Sequence, residues 1–376
     1  MSRQNLRIGI DASRATLARR TGTESYALHL IRALLGVGGA HKFTLYFRDP
    51  PAPGRWDGRA TNRVIPFPRL WTHIRLSWEL LTARPRPEVL FIPAHVLPLI
   101  HPLPSVVTIH DLGYRYFPEA HPRGQRLYLD GSTRFSAQAA TRLIADSRAT
   151  AQDLTRFYNI PANKITVVYP GRDETLTRVD PAPVRAKYGL PENYLLHVGT
   201  LQPRKNLERL IEAVMQSGHA KQSAARLVLA GRAGWLSEPI VALARARGVR
   251  LLDYVPDDDL AGLYSGAAAF VFPSLYEGFG FPVLEAMACG APVICSNTSS
   301  LPEVAGDPST RSGWSAALLI DPLDTRAMAS AIERVLTDVD LRASLIARGF
   351  EQIQKFSWEK AARETLAVLE ATASSE

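Results

Sequence analysis

Two carboxylates stand eight residues apart in a glycine-containing segment, Glu277 and Glu285. A strand is expected to end near Phe272, and a helix is expected to begin at Pro282, because proline suits the first helical position. Backbone N–H groups of the loop and of the helix N-terminus favour an anion between the two glutamates. Together these features predict a ligand of the form hydroxyls–diphosphate–hydroxyls, which is a nucleotide sugar. Taken singly, either glutamate is better explained as a turn cap or a solvated helix residue.

Two cations follow another expected strand, which ends at Val198. Gly199 and Thr200 allow a close approach of the backbone, and Arg204 and Lys205 then arrive where a helix is expected to start. Two cations and helix-terminal amides make a site for a diphosphate and stabilise charge that builds on a leaving group. A merely solvated pair would be unfavourable at a helix start, because it opposes the helix dipole.

Polar residues also follow expected strands in the N-terminal half. Asp11 comes just after the first strand, and His110 and Asp111 come directly after a buried strand that ends at Ile109. A loop from Arg20 to Ser25 precedes the first helix. In this loop Gly22 and Thr23 are positioned to offer backbone amides to a phosphate. The alternatives are a histidine satisfied by loop backbone and a glycine that only shapes the turn.

Three further features of the sequence are not expected to form a chemical site. Asp257–Asp259 contains a D-x-D pattern, but its place before an expected helix Leu260–Ser265 favours N-capping over a metal site. The nine histidines show no metal-ligand spacing, so no metal is expected. An apolar stripe at helical spacing lies beside several arginines and is expected to face the core, with a membrane interface as the alternative. The stripe consists of Trp71, Ile74, Trp78 and Leu81, and the arginines are Arg69, Arg75, Arg84 and Arg86.

The run E-G-F-G-F-P-V-L-E-A-M-A-C-G-A-P-V-I, from Glu277 to Ile294, resembles the E-x7-E signature of glycosyltransferase family 4. The R-K pair at 204–205, T-I-H-D-L at 108–112 and T-G-T-E-S-Y at 21–26 extend the resemblance over nearly the whole chain. It implies that Glu277 meets the donor hexose and that Glu285 holds the ribose. It also implies that His110 lies near the donor sugar. Asp11 and Asp111, which follow strands of the same half, are candidates for the acceptor side. Further donor contacts are then expected from Gly22, Thr23, Gly199, Thr200, Arg204, Lys205, Gly278, Phe279, Gly280 and Phe281.

The elements that must position these residues form two successive α/β halves, because short strands alternate with amphipathic helices in a pattern typical of parallel, doubly wound sheets. Residues 171–191 are irregular and proline-rich and are expected to link the halves. The resemblance implies a GT-B fold, with two Rossmann-like domains at 1–172 and 190–357 facing a cleft and a last helix from Trp358 crossing back to the first domain. The strands expected are Leu6–Ile10, Lys42–Phe47, Val89–Ile92, Ser105–Ile109, Arg142–Ala145, Thr166–Val168, Tyr194–Val198, Arg226–Ala230, Val249–Leu252, Ala269–Phe272 and Pro292–Ser296. The helices expected include Glu24–Leu35, one capped by Ser147, Asn206–Met215, Glu238–Arg247 and Trp358–Ala371.

The amino-acid composition and charge limit the classes of protein to which the chain can belong. The chain has 376 residues, 46% of them hydrophobic, and a net charge of +8. Residues 1–180 carry 25 Lys and Arg, 23 of them Arg, against 14 Asp and Glu. This basic half suits an anionic membrane surface or a phosphate-bearing acceptor, or is simply a solvated arginine-rich surface. Nucleic acid is not expected. With two cysteines, no long apolar run and little room for a signal peptide, the sequence favours a cytoplasmic protein.

The resemblance implies a retaining, metal-independent transferase that uses a nucleoside-diphosphate hexose and no other cofactor. Its motifs are most similar to the mannosyltransferase-like branch, which builds cell-surface polysaccharides. GDP-mannose is therefore the first donor expected, a UDP-hexose is the second, and a saccharide or lipid-linked acceptor is implied. A phosphorylase or epimerase of the same fold and a non-catalytic nucleotide-sugar-binding protein stay open as alternatives.

Overall fold

The structure, a computed structural model, describes residues 5–16, 22–54, 56, 58–120, 122–218, 227–306 and 314–374. The chain divides into two compact units. The first contains residues 1–112, 123–171 and 356–376, and the second contains residues 113–122 and 172–355. Within the described residues no helix is both long and apolar enough to cross a membrane.

The first unit is built on a seven-stranded sheet in which every pairing is parallel, in the order β3-β2-β1-β4-β5-β6-β7. Its central strands β4 and β5 are buried along their whole length, as expected for a parallel sheet with both faces covered. The strands are β1 (Arg7–Asp11), β2 (Lys42–Phe47), β3 (Thr61–Val64), β4 (Val89–Ile92), β5 (Ser105–Ile109), β6 (Arg142–Ala145) and β7 (Ile165–Val167). The α-helices from residue 22 to residue 158 are α1 (Gly22–Val37), α2 (Ser77–Thr82), α3 (Gly113–Tyr116), α4 (Arg123–Ala139) and α5 (Arg148–Tyr158), of which α3 falls in the second unit.

The second unit carries a six-stranded parallel sheet in the order β10-β9-β8-β11-β12-β13. Its strands are β8 (Tyr194–Val198), β9 (Leu227–Ala230), β10 (Arg250–Leu252), β11 (Ala267–Phe272), β12 (Val293–Ser296) and β13 (Ala317–Ile320). Further α-helices within the described ranges are α6 (Ala182–Tyr188), α7 (Leu207–Gln216), α8 (Glu238–Ala246), α9 (Asp257–Ser265), α10 (Phe281–Ala288), α11 (Leu301–Ala305), α12 (Thr325–Thr337), α13 (Val339–Gln352) and, in the first unit, α14 (Trp358–Ala373).

The buried strands and two of the four edge strands, β7 and β10, agree closely with the sequence pattern, whereas the other two edge strands do not. Two edge strands, β3 and β13, were not expected. β3 has no apolar run in its sequence, and all four of its residues are exposed or half-buried. The expected linker contains α6, which ends at Gly189 in the left-handed conformation. The N-cap expected of Ser147 is confirmed, since its hydroxyl accepts from the Thr150 N–H at 3.0 Å.

Two further predictions made from the sequence are wrong. Asp257–Asp259 do not cap a helix that begins at Leu260; they form the first turn of α9, whose N-cap residue is Pro256. The stripe expected to face the core does not do so as a whole, because Trp71 is buried while Ile74 and Trp78 are exposed. The physical reason is a π-helical turn at Thr72–Leu76, with an i→i+5 bond from the Leu76 N–H to the Trp71 carbonyl, which breaks the 3.6-residue period.

The last helix, α14, packs on α1 in the first unit, as expected. Trp358 stacks on His29 with ring centroids 5.4 Å apart and meets the edge of Tyr26 at 5.8 Å. The backbone that precedes α14 runs against Gly171, where a Cβ would lie 2.2 Å from the Trp358 nitrogen. Only glycine permits this approach.

We expect Gly171→Ala to destabilise the protein by about 1–3 kcal/mol, because the added methyl group overpacks a contact with backbone atoms that cannot move away. The melting temperature measures the effect. Gly124→Ala in α4 is the matched control, since a Cβ there meets nothing within 4 Å and alanine favours the helix. Equal melting temperatures for the two variants would contradict the proposed packing constraint.

Candidate active site

The candidate site of the second unit lies where its strand order reverses, between β8 and β11. In open α/β sheets ligands bind beyond the carboxyl ends of the strands at this point. Residues 199–206 follow β8 and residues 273–280 follow β11, so both expected motifs are brought to the same edge. The two loops are joined by their backbones, since the Leu275 N–H donates to the Arg204 carbonyl at 2.9 Å.

Three of the expected charged side chains meet directly. The Lys205 Nζ lies 2.6 Å from Glu277 Oε1, and the Arg204 Nη1 lies 2.8 Å from Glu277 Oε2. Lys205 and Glu277 are buried, and the Lys205 ammonium also lies 4.6 Å from the centroid of the Phe272 ring. The site therefore holds a carboxylate clasped by two cations.

The two cations do not open the helix, as the sequence suggested. They lie in a 3₁₀ turn, Pro203–Lys205, and Asn206 separates this turn from α7. Asn206 has a left-handed φ of 59°, and its amide donates to the carbonyls of Pro273 at 3.1 Å and Pro322 at 2.7 Å. Asn206 thus ties the turn to the strand ends beside it.

The backbone at Gly199 lies close to that of another glycine, Gly231. A Cβ on Gly231 would lie 2.0 Å from the Gly199 carbonyl oxygen, so the loops after β8 and β9 touch at two glycines. Thr200, which follows, is exposed. These contacts leave the start of the 199–206 loop with little freedom.

The surroundings of the two glutamates drive their pKa values in opposite directions. Burial opposes ionisation of Glu277, but the Arg204 guanidinium and the Lys205 ammonium outweigh it and lower the pKa of that carboxyl to about 2. Burial raises the pKa of Glu285 to about 7, although the Tyr264 hydroxyl donates to its Oε2 at 2.8 Å. Glu285 therefore stands apart from the ion pairs, in the second turn of α10.

The glycine-containing loop between the glutamates is held by two serines. The Ser299 hydroxyl accepts from the Glu277 N–H at 3.0 Å, and the Ser300 hydroxyl lies 2.6 Å from the Phe279 carbonyl oxygen. Gly280 caps α10 with a φ of 114°, a conformation that favours glycine. Gly278 lies in the same loop, and the ring of Phe281 meets that of Phe279 edge-on at 5.1 Å.

His110 takes part in a buried network of the first unit. Its Nδ1 lies 2.5 Å from Asp146 Oδ2, and its Nε2 lies 2.9 Å from the Pro93 carbonyl oxygen. Both partners are acceptors, so both ring nitrogens donate and the ring is charged. Burial opposes that charge, but Asp146 raises the pKa of His110 above its usual value. Both ring nitrogens thus have partners within the first unit.

The other residues singled out in the first unit lie at strand ends or in the first helix. Asp11 ends β1, and its carboxylate accepts from the Ser13 N–H at 3.0 Å. Asp111 follows His110 and is partly exposed. Gly22 and Thr23 do not lie in a loop, because residues 22–25 form the first turn of α1; the other two residues of that expected loop, 20 and 21, lie outside the described residues.

Several residues of these networks were not found from the sequence. Tyr264 and Ser299 reach the site from elements distant in the chain, and no local spacing marks them. Asp146 and His95 follow the strands β6 and β4, so a systematic search of positions after strands would have found both. Among the described residues no group of three or more His, Cys, Asp or Glu is arranged to hold a metal ion.

Known proteins match both halves of the chain. Residues 20–176 match the model described as Glycosyltransferase Family 4, and residues 183–352 match Glycosyl transferases group 1. An O-antigen chain mannosyltransferase B of Escherichia coli is 34% identical over 371 residues, covering 92% of this chain and 95% of that protein. The serotype-specific mannosyltransferase WbdA of the same species is 32% identical over 277 residues, which is 69% of this chain and 32% of WbdA.

Solved structures agree on the fold. Sucrose-phosphate synthase from Thermosynechococcus elongatus superposes with a TM-score of 0.75 at 22% identity, covering 99% of this chain and 100% of that one. Anabaena HepE in complex with UDP and glucose gives 0.72 at 19% identity, covering 97% and 100%. WaaG, a glycosyltransferase involved in lipopolysaccharide biosynthesis, gives 0.69 at 16% identity, covering 97% and 99%. The chain therefore has the GT-B fold and belongs to glycosyltransferase family 4.

Proposed function

We propose that this glycosyltransferase moves mannose from GDP-mannose to a saccharide or lipid-linked saccharide acceptor, with retention at the anomeric carbon. The observation that carries the proposal is Glu277, held ionised between Arg204 and Lys205 at the strand-order reversal of the second unit. The carboxylate suits hexose hydroxyls, and the two cations suit a diphosphate beside it. The mannose rests on similarity to enzymes named as mannosyltransferases.

In the proposed reaction the bond from the anomeric carbon to the diphosphate oxygen breaks, and the electron pair leaves with the nucleoside diphosphate. Arg204 and Lys205 stabilise the negative charge that gathers on this leaving group. The acceptor hydroxyl attacks the same face of the sugar, and its proton passes to the departing diphosphate. Glu277 is tied to two cations and its pKa is about 2, so its role is to accept from donor hydroxyls and not to take this proton.

For the nucleoside we propose that Glu285 accepts from the ribose hydroxyls, with no further cofactor. The second unit then binds the donor, and Gly199, Thr200 and residues 278–281 complete its site. The first unit binds the acceptor. A UDP-hexose stays the second candidate donor, because HepE, which shares the fold, is solved with UDP and glucose.

Lys205→Ala is expected to lower kcat for transfer from GDP-mannose to an alkyl mannoside by about 10²–10³-fold, the scale of removing one preorganised donor. The assay follows GDP release and product formation, and NMR of the product determines its anomeric configuration. Lys187→Ala is the matched control, since Lys187 is an exposed lysine of the same unit that pairs with Asp259 instead. An unchanged kcat in Lys205→Ala contradicts the leaving-group role.

The same assay separates the alternative functions. A phosphorylase would require inorganic phosphate, an epimerase would convert the donor without an acceptor, and a non-catalytic binding protein would release no GDP. A β-linked product would contradict retention.

Glu285→Gln is expected to raise the melting temperature of the ligand-free protein at pH 8 and to leave it nearly unchanged at pH 5. The folded pKa of about 7 exceeds the ordinary value of 4.5, so the native state binds the proton more tightly than the unfolded chain. The free energy of unfolding therefore falls as pH rises from about 4.5 to 7, and glutamine removes this loss.

The same substitution should weaken GDP binding by on the order of tenfold or more, because ribose loses a charged acceptor. Exposed Glu192→Gln is the control for both measurements. An equal rise in melting temperature at both pH values, or unchanged affinity for GDP, would speak against this assignment of Glu285.

A specific surface favours peripheral binding of the first unit to an anionic membrane on the cytoplasmic side, which we also propose. Leu70, Ile74 and Trp78 are 61%, 48% and 61% exposed. The Ile100 N–H donates to Ser77 Oγ at 3.4 Å, which places a second exposed apolar segment, Leu99–Ile100, beside these three side chains.

The segment 69–86 also carries three exposed arginines, Arg69, Arg84 and Arg86. Its single acid, Glu79, is buried between Arg63 and Arg75. Apolar side chains flanked by arginines suit an anionic lipid interface.

Vesicles that contain phosphatidylglycerol are expected to sediment the protein, and the double variant Ile74→Ser, Trp78→Ser is expected to lose most of this binding. The matched control replaces an exposed pair of the second unit, Trp235→Ser with Leu236→Ser, and should bind as the original protein does. Equal losses in the two double variants, or binding that persists on neutral vesicles, would overturn the assignment.

A further inference from the structure

The first unit has its own reversal of strand order, between β1 and β4, and polar residues lie there too. Asp11 ends β1, and His95 comes three residues after the end of β4. The corresponding point of the second unit carries the residues that clasp Glu277. His95 therefore lies at the equivalent place in the first sheet, and its two ring nitrogens have different surroundings.

The backbone at His95 is strained. Its φ is 44°, and the Val96 N–H bonds to the Ala94 carbonyl at 2.6 Å, which closes a three-residue turn around the histidine. A residue other than glycine in this region is uncommon, and such strain concentrates at functional sites. The His95 N–H donates to the Thr108 carbonyl at 3.1 Å and so anchors the turn to β5.

One ring nitrogen of His95 is occupied, and the other is available. The His110 N–H donates to His95 Nε2 at 3.3 Å, so Nε2 is the unprotonated nitrogen and the proton is on Nδ1. Nδ1 has no hydrogen-bond partner among the described residues. It is also absent from the buried side-chain atoms of these residues that lack a partner, so it is accessible to solvent. Burial, and then the charge of His110, lower the pKa of His95 to about 3, so the ring is neutral at physiological pH.

The charges near His95 suit an uncharged, hydroxyl-rich ligand. Asp111, Arg14 and the charged His110 act on it electrostatically, and Arg14 is paired with Glu24 at 3.4 Å. This mixture differs from the paired cations at 204–205, which suit a diphosphate. We propose that the Nδ1–H of His95 binds a hydroxyl oxygen of the acceptor saccharide, an inference that rests on the transfer reaction proposed above.

Three substitutions of His95 separate this role from a structural one. His95→Asn keeps a donor near the position of Nδ1 and tolerates the left-handed backbone. His95→Gln keeps an acceptor for the His110 N–H but has no donor near Nδ1, and His95→Gly relieves the strain but removes the ring. His101→Gln, in the same connection between β4 and β5, is the control.

With GDP-mannose as donor and octyl α-mannoside as acceptor, the Gln and Gly variants are expected to raise the acceptor KM roughly 3- to 10-fold, the scale of one hydrogen bond. The donor KM should stay within about twofold, and His95→Asn should retain an acceptor KM close to that of the original protein. An unchanged acceptor KM in His95→Gly, or a parallel rise of the donor KM, overturns the proposal.

A second measurement does not depend on turnover. In ¹⁵N-histidine-labelled protein, NMR should show His95 neutral with the proton on Nδ1, and octyl α-mannoside, unlike GDP, should shift that resonance. A proton on Nε2, or a resonance that only GDP shifts, refutes the inference. If the original protein transfers no mannose, the proposed function fails, whereas the NMR result still decides the role of His95.

Discussion

The buried ion pairs of Glu277 with Arg204 and Lys205 are the constraint on which the second unit's site depends. A carboxylate removed from water is costly unless cations and hydrogen bonds surround it. Arg204 and Lys205 supply that charge from a different loop, so the loops after β8 and β11 must lie together. The bond from the Leu275 N–H to the Arg204 carbonyl and the amide of Asn206 reinforce this arrangement. The charged groups are therefore positioned before any substrate arrives, which is the condition for electrostatic catalysis.

The parallel sheets explain why chemistry gathers at one edge of each unit. All pairings in both sheets are parallel, so every strand delivers its following loop to the same side. In open parallel sheets ligands bind beyond the carboxyl ends of the strands, at the reversal of strand order. In the second unit this place holds the ion pairs, and in the first it holds Asp11 and His95. Both units thus use one principle of construction with different side chains.

Identical side chains acquire different protonation because their partners differ. Glu277 is buried beside two cations and stays ionised, whereas Glu285 is half-buried beside a hydroxyl and its pKa rises to about 7. His110 has two acceptors and is charged, while His95, next to it, accepts from a backbone N–H and is neutral. Burial acts against charge in all four cases, and the neighbouring groups decide the outcome.

The sequence by itself determined the two α/β halves, the buried strands and the charged residues at 204, 205, 277 and 285. It did so because buried strands are continuous apolar runs and because glycine, proline and charged residues mark the loops that follow them. It did not reveal the edge strand β3, which has no apolar run, or the π-helical turn that exposes Ile74 and Trp78.

Only the tertiary structure decided which side chains meet. It paired Glu277 with Lys205 and Arg204, Glu285 with Tyr264, and His110 with Asp146, over separations of 72, 73, 21 and 36 residues respectively. It also fixed the tautomer of His95 through the N–H of His110. Such contacts depend on strand order and loop packing, which place residues distant in the chain side by side. Local spacing therefore identifies a charged residue without identifying its partner or its protonation state.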